Sequence, residues 1–142
     1  MTKQKIIALL LLLILCFPAV QQLFINGYFP MHDDTQVARV IEMKKALSSG
    51  QFPVRWVPDL GYGFGYPLFN FYGPLPYYAG GLFALLGFDG VTATKAMMGI
   101  GMVLPAVTLF LFLGSVAGIS MAFLGSLLYL YAPYHAVQLY VR

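Results

Sequence analysis

Long uncharged stretches alternate along this chain with one polar, aromatic middle section. From Ile6 to Ile25 no charged residue occurs, and about twenty residues rising ~1.5 Å each suffice to cross a hydrocarbon layer of ~30 Å. The pattern predicts a first membrane helix over 6–25, kinked at Pro18 because proline brings no N–H to the helix ladder. Lys3 and Lys5 precede it, which puts the amino terminus in the cytoplasm by the positive-inside rule. A cleaved signal sequence is the rival reading. The apolar run is longer than a signal core, no small-x-small site comes after it, and more apolar segments lie downstream, so an uncleaved helix is preferred.

Residues 74–87 are apolar but would make a helix of only about 21 Å, the length of a re-entrant or interfacial segment. Residues 95–113 can cross, with Pro105 as a kink and Gly99, Gly101 and Ala106 as small residues for close packing. A tight turn around 114–120 leads into a last apolar helix over 119–134. Two topologies are open. If 74–87 only dips into the membrane, the turn at 114–120 is cytoplasmic and Arg142 shares a face with the first loop; if it spans, both assignments reverse. Length favours the first.

The loop 26–73 is then extracytoplasmic. Within it Val37, Val40, Ile41 and Leu47 recur at near-helical spacing while Arg39, Glu42, Lys44 and Lys45 supply polarity, predicting an amphipathic helix over 34–47 along the membrane surface. Asp33 or Asp34 can cap its start, and Ser48-Ser49-Gly50 ends it. Ten aromatic residues then fall between Phe52 and Tyr78 among repeated glycines and prolines, the composition of an ordered, irregular loop at the interface. Gly61, Gly63 and Gly65 resemble a phosphate loop only superficially, since neither the dinucleotide spacing nor a Gly-Lys-Ser/Thr ending is present.

Composition fixes the class. The 142 residues are 60% hydrophobic and 9% charged, with a mean hydropathy of +0.78, where soluble domains carry roughly a quarter charged residues. The expected fold is all-α, a polytopic helical membrane protein. It has about three transmembrane helices, one amphipathic surface helix and one short re-entrant or interfacial helix. Three helices enclose little, so 1–142 reads as a single membrane domain and the amino-terminal portion of a larger protein. A net charge of +3, scattered along the chain, makes no nucleic-acid surface. The single Cys16 excludes an internal disulfide and a multi-cysteine metal site.

Candidate chemistry concentrates in Tyr28-Phe29-Pro30-Met31-His32-Asp33-Asp34, directly after the first apolar run. Two carboxylates at the edge of hydrocarbon are costly unless solvated, paired or used. One of them can take a proton from an attacking hydroxyl or amine, and partial desolvation and the like-charged neighbour both favour a raised pKa; the plain alternative is a helix cap in a wet loop. His32 can orient a group, relay a proton or join the aspartates on a metal. Arg55, with Arg39, Lys44 and Lys45, can hold a lipid phosphate or a headgroup, and Asp59 is placed to pair with Arg55. His135 and Arg142 join this region only in the re-entrant topology.

One helix leading outward, the His32-Asp33-Asp34 pair, a surface helix and the aromatic-proline run Tyr66-Pro67 through Tyr72-Gly73-Pro74-Leu75-Pro76-Tyr77-Tyr78 together resemble the amino-terminal part of polytopic GT-C glycosyltransferases. The chain is most similar to the bacterial branch of YfhO-type membrane proteins, some labelled pyruvoyl-tetrahydropterin synthase-related; the zinc-binding histidine cluster of a pterin synthase is absent. The resemblance implies transfer of a sugar from a polyprenyl-phosphate-linked donor at the extracytoplasmic face of the plasma (inner) membrane. It implies Asp33 and Asp34 as catalytic base or acceptor-orienting groups, with His32, Arg55, Tyr66, Tyr72 and Arg142 binding substrate. A divalent metal on Asp33 and Asp34 is the one cofactor it allows. Membrane lipid and the sugar donor are the implied partners, together with further helices of the same protein or a partner subunit, because the second acidic loop of that family is not within these residues. The competing reading is a non-catalytic membrane module, a subunit or transport-related protein, whose acidic pair is structural.

Overall fold

A computed structural model describes residues 2–28 and 35–140. Its helices are α1 (Lys3–Val20), continued by a 3-10 turn at Gln21–Phe24, then α2 (Gln36–Ser48), α3 (Leu68–Phe71), α4 (Leu75–Leu85), α5 (Gly90–Val116), α6 (Ile119–Leu130) and α7 (Pro133–Tyr140). Among the described residues there is no strand, only an isolated antiparallel bridge between Val57 and Tyr66. The expected all-helical class is met.

Two stretches are long and apolar enough to cross a membrane: Lys3–Phe24, 22 residues, and Gly90–Val116, 27 residues. Only 22% and 17% of their most apolar portions is buried, and Ile6, Leu10, Ile14, Phe17, Leu104 and Phe112 all face outward. A core helix of a soluble protein would hide such side chains, at roughly 25 cal/mol per Å² of apolar surface. These faces support a membrane location. Among the described residues these two are the candidate spans, so the third expected over 119–134 is not confirmed, and that apolar run is interrupted. Ala132 N–H donates to Tyr129 O at 3.2 Å, which tightens the end of α6, and Pro133 cannot continue the ladder but can open a new helix. α6 is left with 12 residues, about 18 Å.

The longer α5 starts at Gly90 because Asp89 caps it. Asp89 Oδ1 accepts from Val91 N–H at 3.0 Å and Thr92 N–H at 3.1 Å. Hydrogen bonds from Thr92, side chain first, hold this carboxyl below its ordinary pKa.

The chain forms two compact units, one of residues 1–32 and 99–142 and the other of residues 33–98, with α5 contributing its first turns to the second and the rest to the first. On three helices of the first unit the buried residues fall at every fourth position: Leu12, Cys16 and Val20 on α1, Met102, Ala106 and Phe110 on α5, and Ala122, Ser126 and Leu130 on α6. Stripes of this spacing are the ridges that pack helix on helix, and α1 packs on α6 in this way. Two long-range bonds tie the unit. Lys5 Nζ donates to Gly114 O in the last turn of α5 at 2.9 Å, a cation at the negative end of a helix. Tyr131 Oη donates to Leu15 O at 2.6 Å, in the turn of α1 that Pro18 crowds.

The second unit is built on α2 against α4. Val40, Met43 and Ala46 of α2 meet Tyr77 and Ala84 of α4, Ala93 and Met97 of α5, and Val54, Val57, Leu68 and Phe69 from the intervening chain. The apolar face of α2 is therefore covered by α4 rather than laid on lipid. The aromatic section is ordered as expected from its composition. Val57 and Tyr66 exchange N–H···O bonds of 2.9 and 2.8 Å, and Gly65 N–H closes on Leu60 O at 2.9 Å. Gly65 has φ +81°, and a Cβ there would lie 2.4 Å from the Trp56 indole, so the loop closes on the tryptophan only because the residue is glycine.

Candidate functional site

Four of the residues expected to carry chemistry, His32, Asp33, Asp34 and Arg142, lie outside the described residues. The described part begins one residue after the acidic pair, at Thr35, which occupies the N-cap position of α2. The acidic pair therefore leads directly into the first turn of a helix carrying Gln36 and Arg39.

That turn holds a polar cluster inside the second unit. Arg39 is only 8% exposed. Its guanidinium stands 4.2 Å from the centre of the Tyr72 ring, and its Nη1 donates to Tyr77 Oη at 3.2 Å. Tyr77 Oη in turn donates to Gln36 Oε1 at 2.7 Å. A buried arginine needs such partners, since an uncompensated charge in low dielectric is expensive. Tyr72 brings a π face and Tyr77 a hydroxyl from α4. The arrangement can hold a positive charge fixed a few residues past the acidic pair, and it cannot let that charge swing out to a headgroup.

The basic residues expected to hold a lipid phosphate are thus divided. Arg39 is built into the core. Lys45 donates to Glu42 Oε1 at 3.2 Å and to Asp59 Oδ2, and these bonds, Asp59 first, raise its pKa. Asp59 therefore pairs with Lys45, not with Arg55. Glu42 is itself buried, 4% exposed, and also accepts from Asp59 N–H at 3.3 Å, which fixes the chain after Pro58 onto α2. Arg55 is exposed beside Trp56. Tyr66 is held by its backbone bridge to Val57 and its ring lies 6.5 Å from Phe71. Of the expected substrate-binding residues, the structure brings Tyr72 to Arg39 and leaves Arg55 and Tyr66 apart from that cluster.

Reading the sequence did not single out Gln36, named Tyr77 only within the aromatic-proline run, and took Arg39 and Glu42 as the polar residues of an amphipathic helix. A signal was present: Arg39, Glu42, Met43 and Ala46 share one helical stripe. Among the described residues no three metal-ligating side chains converge; a metal on Asp33 and Asp34 would lie outside them.

The cluster makes a definite demand on stability. Arg39→Met is expected to cost about 2–4 kcal/mol, from a buried cation–π contact of ~2 kcal/mol and a charged hydrogen bond of ~1.5–3 kcal/mol less the gain from removing a buried charge. Arg39→Lys should recover only part, because an ammonium lacks the planar fork that serves ring and hydroxyl together. Thermal unfolding in detergent, followed through Trp56 fluorescence, measures both. A Met variant that melts with the native protein would show the cluster to be dispensable.

Compared with models of known families, with curated proteins and with solved structures, the chain matches none.

Proposed function

We propose that this chain is the amino-terminal portion of a GT-C-like membrane glycosyltransferase. In this reading it transfers a sugar from a polyprenyl-phosphate-linked donor at the extracytoplasmic face of the plasma membrane, with Asp33 or Asp34 as the base that activates the acceptor. The observation that carries the reading is the sequence His32-Asp33-Asp34 standing between an apolar helix long enough to cross and a packed unit that fixes Arg39 just beyond it. A carboxylate at that boundary can take a proton from an acceptor hydroxyl.

The contacts within the first unit support the membrane topology that this reading needs. Lys5 at the start of α1 reaches Gly114 at the end of α5, so these two helix ends share one side. With Lys3 and Lys5 inside by the positive-inside rule, the turn after α5 is cytoplasmic, and residues 25–89 lie outside. α4, with 11 residues or about 16 Å, then has no need to span. A cysteine placed at Ser115 is expected to react with a membrane-impermeant maleimide only in inside-out vesicles; reaction in right-side-out vesicles overturns the topology.

The direct test uses membranes containing the protein, given a polyprenyl-phosphate sugar labelled in the sugar. The expected result is label transferred to an acceptor above the level of membranes lacking the protein. Absence of transfer from every such donor, with the protein folded and inserted, overturns the reading and favours the non-catalytic module.

A further inference from the structure

The α6–α7 junction puts interrupted backbone and an imidazole deep in the first unit's apolar region. Two bonds mark heights along α1: Lys5 at the level of Gly114 and Leu15 at the level of Tyr131, about 15 Å apart at 1.5 Å per residue. The Lys3–Phe24 segment has 22 residues, about 33 Å. The junction at Tyr131–Pro133 therefore lies roughly midway along a helix able to cross a ~30 Å hydrocarbon layer. Non-helical backbone at that depth persists only where protein covers it or water reaches it.

The side chains at the junction favour water. His135 Nδ1 is shut off from solvent with no hydrogen-bond partner, and its ring stands edge-on to Tyr129 with centroids 4.5 Å apart. A buried polar atom of this kind is ordinarily satisfied by protein or by an ordered water. The outward residues also change character here. Leu124 and Leu128 on α6 are purely apolar, whereas Tyr131 and Tyr134, equally exposed in kind, carry hydroxyls. One turn before the break, fully buried Ser126 has no partner, although Thr94, Thr108 and Ser115 each return their hydroxyl to a carbonyl of their own helix.

We infer that the α6–α7 break lines a water-filled pocket about halfway across the membrane, with His135 Nδ1 as its hydrogen-bonding group. The pocket stands on the geometry of the first unit and is independent of the glycosyl-transfer reading. An intramembrane polar residue of this kind marks a functional site more often than a structural one.

Thiol accessibility tests it in the full chain with Cys16→Ala. Ala132→Cys is expected to react with a charged methanethiosulfonate within about tenfold of the rate of Phe64→Cys, whose position is 87% exposed. Leu128→Cys, on the apolar face, should react at least about a hundredfold more slowly, as a group dissolved in hydrocarbon does. Adding His135→Phe should slow Ala132→Cys by about tenfold or more and leave Phe64→Cys unchanged, because the pocket loses its imidazole. Tyr134→Cys serves as the second probe should Ala132→Cys fail to insert. If both react as slowly as Leu128→Cys, the junction is covered by protein or lipid and the pocket does not exist.

Discussion

Gly81→Val is expected to destabilise the second unit by about 2–4 kcal/mol, and Gly80→Val by a similar amount. A Cβ at Gly80 would lie 2.7 Å from Val40 Cγ2 and 3.2 Å from Met97 Sδ, and one at Gly81 would lie 2.7 Å from Met43 Cγ. Val40 and Met43 are wholly buried, so neither can rotate away without opening a gap elsewhere in a close-packed core. Replacing a helical glycine normally gains up to about 1 kcal/mol of propensity, less for a β-branched residue, and overpacking of about 1–3 kcal/mol or more outweighs that gain. Gly101→Ala on α5 is the control. Nothing lies within 4 Å of its Cβ position, so it should be neutral or slightly stabilising. Thermal melts of the three variants decide the matter: similar losses at Gly81 and Gly101 would mean that helix contact in the second unit is not what holds it. The loss should spread to the Arg39 cluster, because Gln36 and Arg39 of α2 reach Tyr77 on the helix that the glycines allow to approach.

How much of the fold is legible depends on whether the information is local or distant along the chain. The segments Lys3–Phe24 and Gly90–Val116 are legible locally, since an apolar run of that length, with lysines only towards its start, has one comfortable solvent. The start of α5 was harder, because Phe88-Asp89-Gly90 serves equally as a turn and as a cap, and only the N–H groups of Val91 and Thr92 select the cap. The break at Tyr131–Ala132 had its signal in Pro133, but apolarity continues through the proline and hides it. The interior of α2 was legible only in part. Arg39 and Glu42 look like solvent-facing residues until Tyr72, Tyr77 and the Asp59 backbone, all distant in sequence, arrive to satisfy them. The acidic pair stands in the sequence as the clearest chemical feature, and the Arg39 cluster directly after it is what the fold added.

Asp33→Asn and Asp34→Asn, made separately, are expected to divide the acidic pair by role. One variant should lose sugar transfer by about 10²–10⁴-fold, the range for removal of a general base, and the other should lose much less. Asparagine keeps the size of aspartate and is as good a residue before a helix, so neither change should unfold α2, which begins at Gln36. It cannot take a proton, and that is the property under test. The neighbouring carboxylate gives a second readout. With one charge removed, the remaining aspartate loses like-charge repulsion, so its pKa falls. If Asp33 is the base, Asp34→Asn therefore keeps turnover while the acidic limb of its pH–rate profile moves to lower pH; if Asp34 is the base, the roles exchange. Thermal melts alongside the assay separate lost chemistry from lost fold. Full transfer in both variants, with unshifted profiles, would leave the pair as a helix-start feature of a non-catalytic membrane module.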